Sequence, residues 1–148
     1  MSALKDRLET DLRAAMKGRD ELVTSTLRMA LSAVRTAEVA GAAARELSDD
    51  EVVAVLKREA KKRREAATAF ADAGRAEQAE RERAEEGVLD GYLPSQLSDD
   101  ELRAIVAAAL AGSGASNMGT AMKAAQAAVA GRAEGGRVAA EVRRQLAG

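Results

Sequence analysis

Apolar residues recur every three or four positions along almost the whole chain, and no run of four or more residues alternates Val, Ile, Thr or an aromatic with polar side chains. The first pattern is the period of a helix face, and the second, which is missing, is the period of a strand. Alanine, the strongest helix former, supplies 36 of the 148 residues. Phe70 and Tyr92 are the only aromatics, so the core must come from Leu, Val, Met and Ala, with Ala letting helices approach closely. The expected class is all-α.

Leu4, Leu8 and Leu12 predict a first helix over about 2–17, capped by Ser2, with Gly18 at the position past its end that favours glycine. A second begins near Asp20 and carries Leu22, Leu27, Ala30, Leu31 and Val34; it fades into the loop 40–44, and the two should pair as a hairpin. Leu47-Ser48-Asp49-Asp50-Glu51 reads as a capping box with a hydrophobic staple from Leu47 to Val52. The third helix should reach about residue 73 with Val53, Leu56, Ala60, Ala67, Phe70 and Ala71 on one stripe, and Gly74 ends it. A charge-rich fourth helix follows over about 75–90. Pro94 stops it, because proline disfavours α geometry at Leu93 and removes a donor. Tyr92 and Leu93 are expected to pin two domains together, the Tyr92 ring inside and its hydroxyl at water.

The string Leu-Ser-Asp-Asp-Glu returns at 97–101 and starts a fifth helix over about 99–111, with Leu102, Ile105, Val106, Ala109 and Leu110 inward. Two more are expected over about 117–130, capped by Ser116 and carrying Met118, Met122, Ala125 and Val129, and over 137–146, carrying Val138, Val142 and Leu146. The reading is an N-terminal four-helix domain (1–91), a Tyr-Leu-Pro linker (92–97) and a small three-helix tail domain (98–148). A core from about 50 residues is marginal alone.

The chain has no His and no Cys. That removes His-based triads, thiolate nucleophiles, disulfides, Cys/His zinc sites and iron–sulfur clusters. The glycines at 112–114 and 131–136 follow no strand and make no nucleotide fingerprint, and the carboxylates at 49–51 and 99–101 are explained by helix starts. No catalytic residue, cofactor site or metal site is therefore expected. No stretch spans a membrane, and the start of the chain does not open like a signal peptide, so the expected location is cytoplasmic.

Basic and acidic residues nearly balance over the whole chain, at 23 against 24, but the segment 57–64 holds six cations and one acid. At 100° per residue Lys57, Arg58, Lys61 and Lys62 lie on one flank of the apolar stripe, Arg64 almost over it and Arg63 beyond it. Such a ridge suits phosphate contact without base readout. The competing reading is a solvated face neutralised by residues 72–90, which carry three positive and seven negative charges.

Several strings together point further: Asp11 with Ala15-Met16-Lys17, Thr26-Leu27-Arg28-Met29, Leu47-Ser48-Asp49, Lys61-Lys62-Arg63-Arg64-Glu65, Phe70 with Gly74-Arg75, Tyr92-Leu93-Pro94 with Gln96-Leu97, Met118-Gly119 with Met122, and Gly131-Arg132-Ala133. In order and spacing they resemble the GatB/YqeY family, with Ala66, Asn117 and Glu134 as departures. The resemblance implies kinship to the C-terminal region of the B subunit of the tRNA-dependent amidotransferase, and a family label of carbon–nitrogen ligase with glutamine as amido-N donor. The catalytic cradle of that enzyme is missing here. The expectation is an accessory module binding tRNA, an amidotransferase or an aminoacyl-tRNA synthetase, with phosphate contacts on Lys57, Arg58, Lys61, Lys62 and Arg64 and secondary ones on Arg28 and Lys123. The alternative is a helical protein–protein adaptor with no nucleic-acid role. Oligomeric state is left open.

Overall fold

A computed structural model describes residues 2–148. Among the described residues it contains seven α-helices and no strand: α1 (Ala3–Lys17), α2 (Glu21–Glu38), α3 (Asp49–Asp72), α4 (Ala76–Asp90), α5 (Asp99–Ser113), α6 (Met118–Val129) and α7 (Gly135–Ala147). None of them is long and apolar enough to cross a membrane. Contacts gather the chain into two compact units, one ending at Leu93 and one spanning Pro94–Gly148.

In the first unit α1 to α4 enclose a core of Leu8, Leu27, Leu31, Val34, Val52, Leu56 and Leu89, each at most 1% exposed. Leu47 and Val52 are both buried in it, as the staple requires. On α3 the buried positions are Val52, Val55, Leu56, Glu59, Ala60 and Ala67, so the inner stripe is rotated from the expected one. Val53 and Phe70 are only half-buried and Ala71 is exposed. The small side chains of Ala60, Ala67 and Ala79 let α3 and α4 pack closely as an antiparallel pair joined by a short turn.

The end of α1 differs from the expected glycine stop. Gly18 has an ordinary φ of −79°, and Arg19 takes the left-handed conformation at φ 57°. The N–H of Asp20 then reaches the Ala15 carbonyl at 2.9 Å, closing the helix end. At the end of α3 glycine does stand at that position: Gly74 has φ 75° and the Arg75 N–H donates to the Phe70 carbonyl at 2.8 Å.

Tyr92 also differs from expectation. Its ring, like Leu93, packs against the first unit's core, with Arg7 stacked over it at 4.5 Å, and its hydroxyl donates to Asp11 at 2.5 Å instead of facing water. Burial and the adjacent Asp11 carboxylate both push the phenol's pKa up.

In the second unit α5 to α7 surround Leu97, Leu102, Val106, Ala121, Ala125, Val129, Val138 and Val142. Helix α5 runs through Gly112 and Ser113 to stop at Gly114 (φ 63°), Asn117 rather than Ser116 caps α6, and α7 starts earlier, at Gly135. Gly112 and Ser113 extend the helix because the left-handed stop comes only at Gly114. The side-chain carbonyl of Asn117 accepts from the Thr120 N–H at 2.9 Å, a bond that fixes the start of α6.

The repeated pentapeptide builds the same cap in both units. Ser48 accepts from the Glu51 N–H at 3.3 Å while Glu51 accepts from the Ser48 N–H at 3.1 Å; Ser98 and Glu101 do the same at 3.1 and 3.0 Å. Arg45 adds a bidentate pair to Glu51 alone. Together with the Ser48 bonds it holds the Glu51 carboxyl down at about 2. A depressed carboxylate adds stability above its unfolded value of about 4.3 that is lost as pH falls through the folded value. Glu51→Gln is therefore expected to lower the melting temperature at neutral pH, and its gap to the parent protein should close between pH ~4.3 and ~2. A gap that stays constant over that range in thermal melts would contradict the assignment.

Candidate nucleic-acid interface

The basic ridge lies on the middle turns of α3, and the structure separates its members. Arg63 turns inward. Its side chain is 14% exposed and lies on the seam that continues Val52, Leu56, Glu59 and Ala60 toward Ala67. Its guanidinium is 3.6 Å from Glu59, 3.9 Å from Glu82 and 3.6 Å from Glu85, and 3.9 Å from the Met29 sulfur. Three carboxylates thus converge on one cation, with Lys62 on Glu59 at 3.0 Å and Arg81 on Glu85 at 3.2 Å closing the rim. Glu82 Oε2 is buried and accepts no hydrogen bond. Burial, followed by repulsion from Glu85, pushes the Glu82 pKa up.

Arg64 is half-exposed and donates to Glu86 at 2.7 Å. Burial, with the Glu86 charge beside it, raises the Asp90 pKa at the same end of α4. The acidic fourth helix therefore takes up Arg63 and Arg64. Lys57 is half-buried. What faces water on the outer flank is Arg58, Lys61 and Lys62. Arg58 has no ion-pair partner among the described residues. Lys61 meets only Glu65, at 4.0 Å, in an exposed i,i+4 pair that carries little energy. Arg58 and Lys62 stand one turn, ~6 Å, apart along the axis.

Of the two secondary cations, Arg28 is exposed on α2 and borders a surface hollow with Met16, Arg19, Glu21 and Thr24. Lys123 is exposed on α6, in the second unit. Sequence reasoning missed Glu59, Arg63, Glu82 and Glu85 as an interior cluster. The detectable signal was a spacing, 52–56–59–63–67, that carries the inner stripe through two charged positions.

Several of the carboxylates are committed to structure. Glu51 and Glu101 close caps. Asp49 accepts from the Ser2 hydroxyl at 2.5 Å and the Leu4 N–H at 3.2 Å, bonds that lower its pKa. The space among Glu59, Glu82 and Glu85 is filled by Arg63, and no group of three or more acids among the described residues is arranged to hold a metal ion.

Fold and charge pattern define an all-helical protein built around a hairpin that neutralises its own basic ridge except along one outer flank. The chain belongs to the YqeY family: the family model for Yqey-like proteins matches residues 5–146, nearly its whole length. No curated protein sequence matches it.

Proposed function

We propose that this YqeY-family chain is an accessory binding module of glutamine-dependent tRNA amidation, touching tRNA phosphates through the outer flank of α3 and leaving bond-making to a partner. The observation that carries this reading is the exposed run Arg58, Lys61 and Lys62 on successive turns of one helix. A chain without His or Cys, whose buried acids are taken up in ion pairs and whose capping glutamates close helix starts, offers little for acyl or amide transfer. Its setting in this reading is the cytoplasm, and its protein partners are an amidotransferase or an aminoacyl-tRNA synthetase. Lys57 and Arg64 join the contact only at its inner edge, with Arg28 and Lys123 as outlying points.

The test is tRNA binding as a function of salt. Each phosphate contact contributes about 0.7–0.9 to the slope of log K against log salt, so Arg58→Gln with Lys61→Gln should reduce that slope by about 1.5. Arg58 and Lys61 are preferred to Lys62, which holds the buried Glu59 and would disturb the fold when removed. An unchanged slope removes the α3 flank from the interface, and glutamine-dependent amidation by the purified chain alone overturns the accessory role.

One observation favours a second reading. Met16 and Met29 are 48% and 42% exposed, and flexible thioethers suit an adaptable protein contact. A partner that stays bound after nuclease treatment points to that adaptor role; one that is lost points to RNA.

A further inference from the structure

The corner where α1 passes into α2 holds an open hollow of about 360 Å³ bordered by Met16, Arg19, Glu21, Thr24 and Arg28. Neither Arg19 nor Arg28 has an ion-pair partner among the described residues. The hollow between α5 and α7 in the second unit makes the contrast. There Arg103 is held by Asp100 and Glu141, Arg137 by Asp99 and Arg144 by Glu141. Those arginines are spent on neighbours, whereas the two at the α1–α2 corner are available.

Arg19 is also an odd choice for its backbone. It occupies a left-handed conformation at φ 57° directly after Gly18, although glycine fills the matching position after α3. Among the described residues Ala130 is the other non-glycine residue in that region of φ, and it has only a methyl group to place. A helix stop alone does not call for a guanidinium here, and strain at such a residue is a pointer to function.

The acids at the corner do not cancel the two cations. Asp20 uses its carboxylate to cap α2, accepting from the Val23 N–H at 3.1 Å. Glu21, 88% exposed, leans 3.6 Å from Arg81, which is already engaged with Glu85 at 3.2 Å. Such an exposed pair is weak, so Glu21 can swing away from an incoming anion at little cost. Thr24 adds a hydroxyl at the rim.

We propose that this corner is a phosphate-binding site, in which a phosphoryl group is held between Arg19 and Arg28 while Glu21 swings aside. The site adds Arg19 and the hollow to the tRNA reading, in which Arg28 is already an outlying contact, and the inorganic-phosphate and AMP arms of its test stand without that reading. Two sources offer the same phosphate chemistry, an RNA phosphodiester and a free nucleotide.

Amide spectra of the full chain, titrated at low salt with inorganic phosphate, AMP and bulk tRNA, separate them. Shifts at residues 19, 24 and 28 are expected with at least one probe. Arg19→Gly and Arg28→Gln should each weaken that response about fivefold, the loss of a charge-assisted contact, and Glu21→Gln should tighten it about twofold. Arg19→Gly relieves the left-handed strain, so its melting temperature should match or exceed the parent's, and lost binding is then not lost folding. Saturation by AMP or phosphate assigns a free ligand; a response to tRNA alone assigns a polynucleotide. Arg58→Gln with Lys61→Gln should leave an AMP response intact. The proposal is overturned if no probe moves these amides, or if Arg19→Gly and Arg28→Gln respond like the parent.

Discussion

Arg63→Ala is expected to cost about 3–5 kcal/mol of folding stability, the range for breaking a buried charge network by removing one member. The reason is the set of acids left behind. Glu59 and Glu85 are each 8% exposed and Glu82 has an oxygen sealed from water, so three carboxylates would face one another with only Lys62 and Arg81 at the rim. Part of the loss should return when Glu82→Gln is added, since that change removes one of the repelling charges. Glu82→Gln alone is expected to stabilise the protein at pH 7, because burial and the neighbouring Glu85 charge both disfavour the Glu82 carboxylate. Its sign follows from the raised pKa: the folded state holds the Glu82 proton more tightly than the unfolded one, so the parent loses stability as pH rises from ~4.3 through the folded value. The gain from Glu82→Gln should thus grow across that window and level off above it. Urea unfolding of the four proteins in this cycle checks the account. A loss below about 1 kcal/mol for Arg63→Ala would mean the cluster is solvated after all.

Leu56→Ala should cost about 2–5 kcal/mol, through lost transfer energy and the cavity left among its neighbours. Leu56 is fully buried where α3 meets the rest of the first unit's core, and the buried side chains of that core are aliphatic and anchored on separate helices. Leu56→Met, nearly equal in volume, should cost under about 1.5 kcal/mol. Similar losses for the two variants in denaturant titrations would show that the site tolerates volume change and that the packing is looser than described.

The helices are legible because the sequence repeats one period almost without interruption and marks its starts chemically. Ser2, Ser48 and Ser98 all cap the helices expected of them, and Leu47 and Leu97 are buried before the two identical boxes. Where pattern and structure part, a tertiary contact decides. Apolar character alone draws the α3 stripe through Val53 and Phe70, yet burial on this helix reaches Glu59, and Arg63 turns inward beside it, where Glu82 and Glu85 of α4 neutralise its guanidinium. Tyr92 reads as a residue with its hydroxyl in water because nothing local reveals that Asp11 waits for it. The left-handed residue after α1 falls one position later than the sequence suggests, because Gly18 advertises a conformation that Arg19 adopts. The ridge itself is visible as a charge run, but how much of it survives depends on Glu82, Glu85 and Glu86, which arrive from another helix.

The Tyr92–Asp11 bond joins residues 81 positions apart, tying the last turn of the first unit to its first helix. On the ribosome, α1 emerges long before Tyr92, and although α2 follows it at once, Leu8 has no finished core to enter until α4 has supplied Leu89. Closing so long a loop is entropically slow compared with forming the individual helices. The nascent segment must therefore travel some distance as loosely associated helices with apolar stripes uncovered, a stage at which chaperones and proteases gain access.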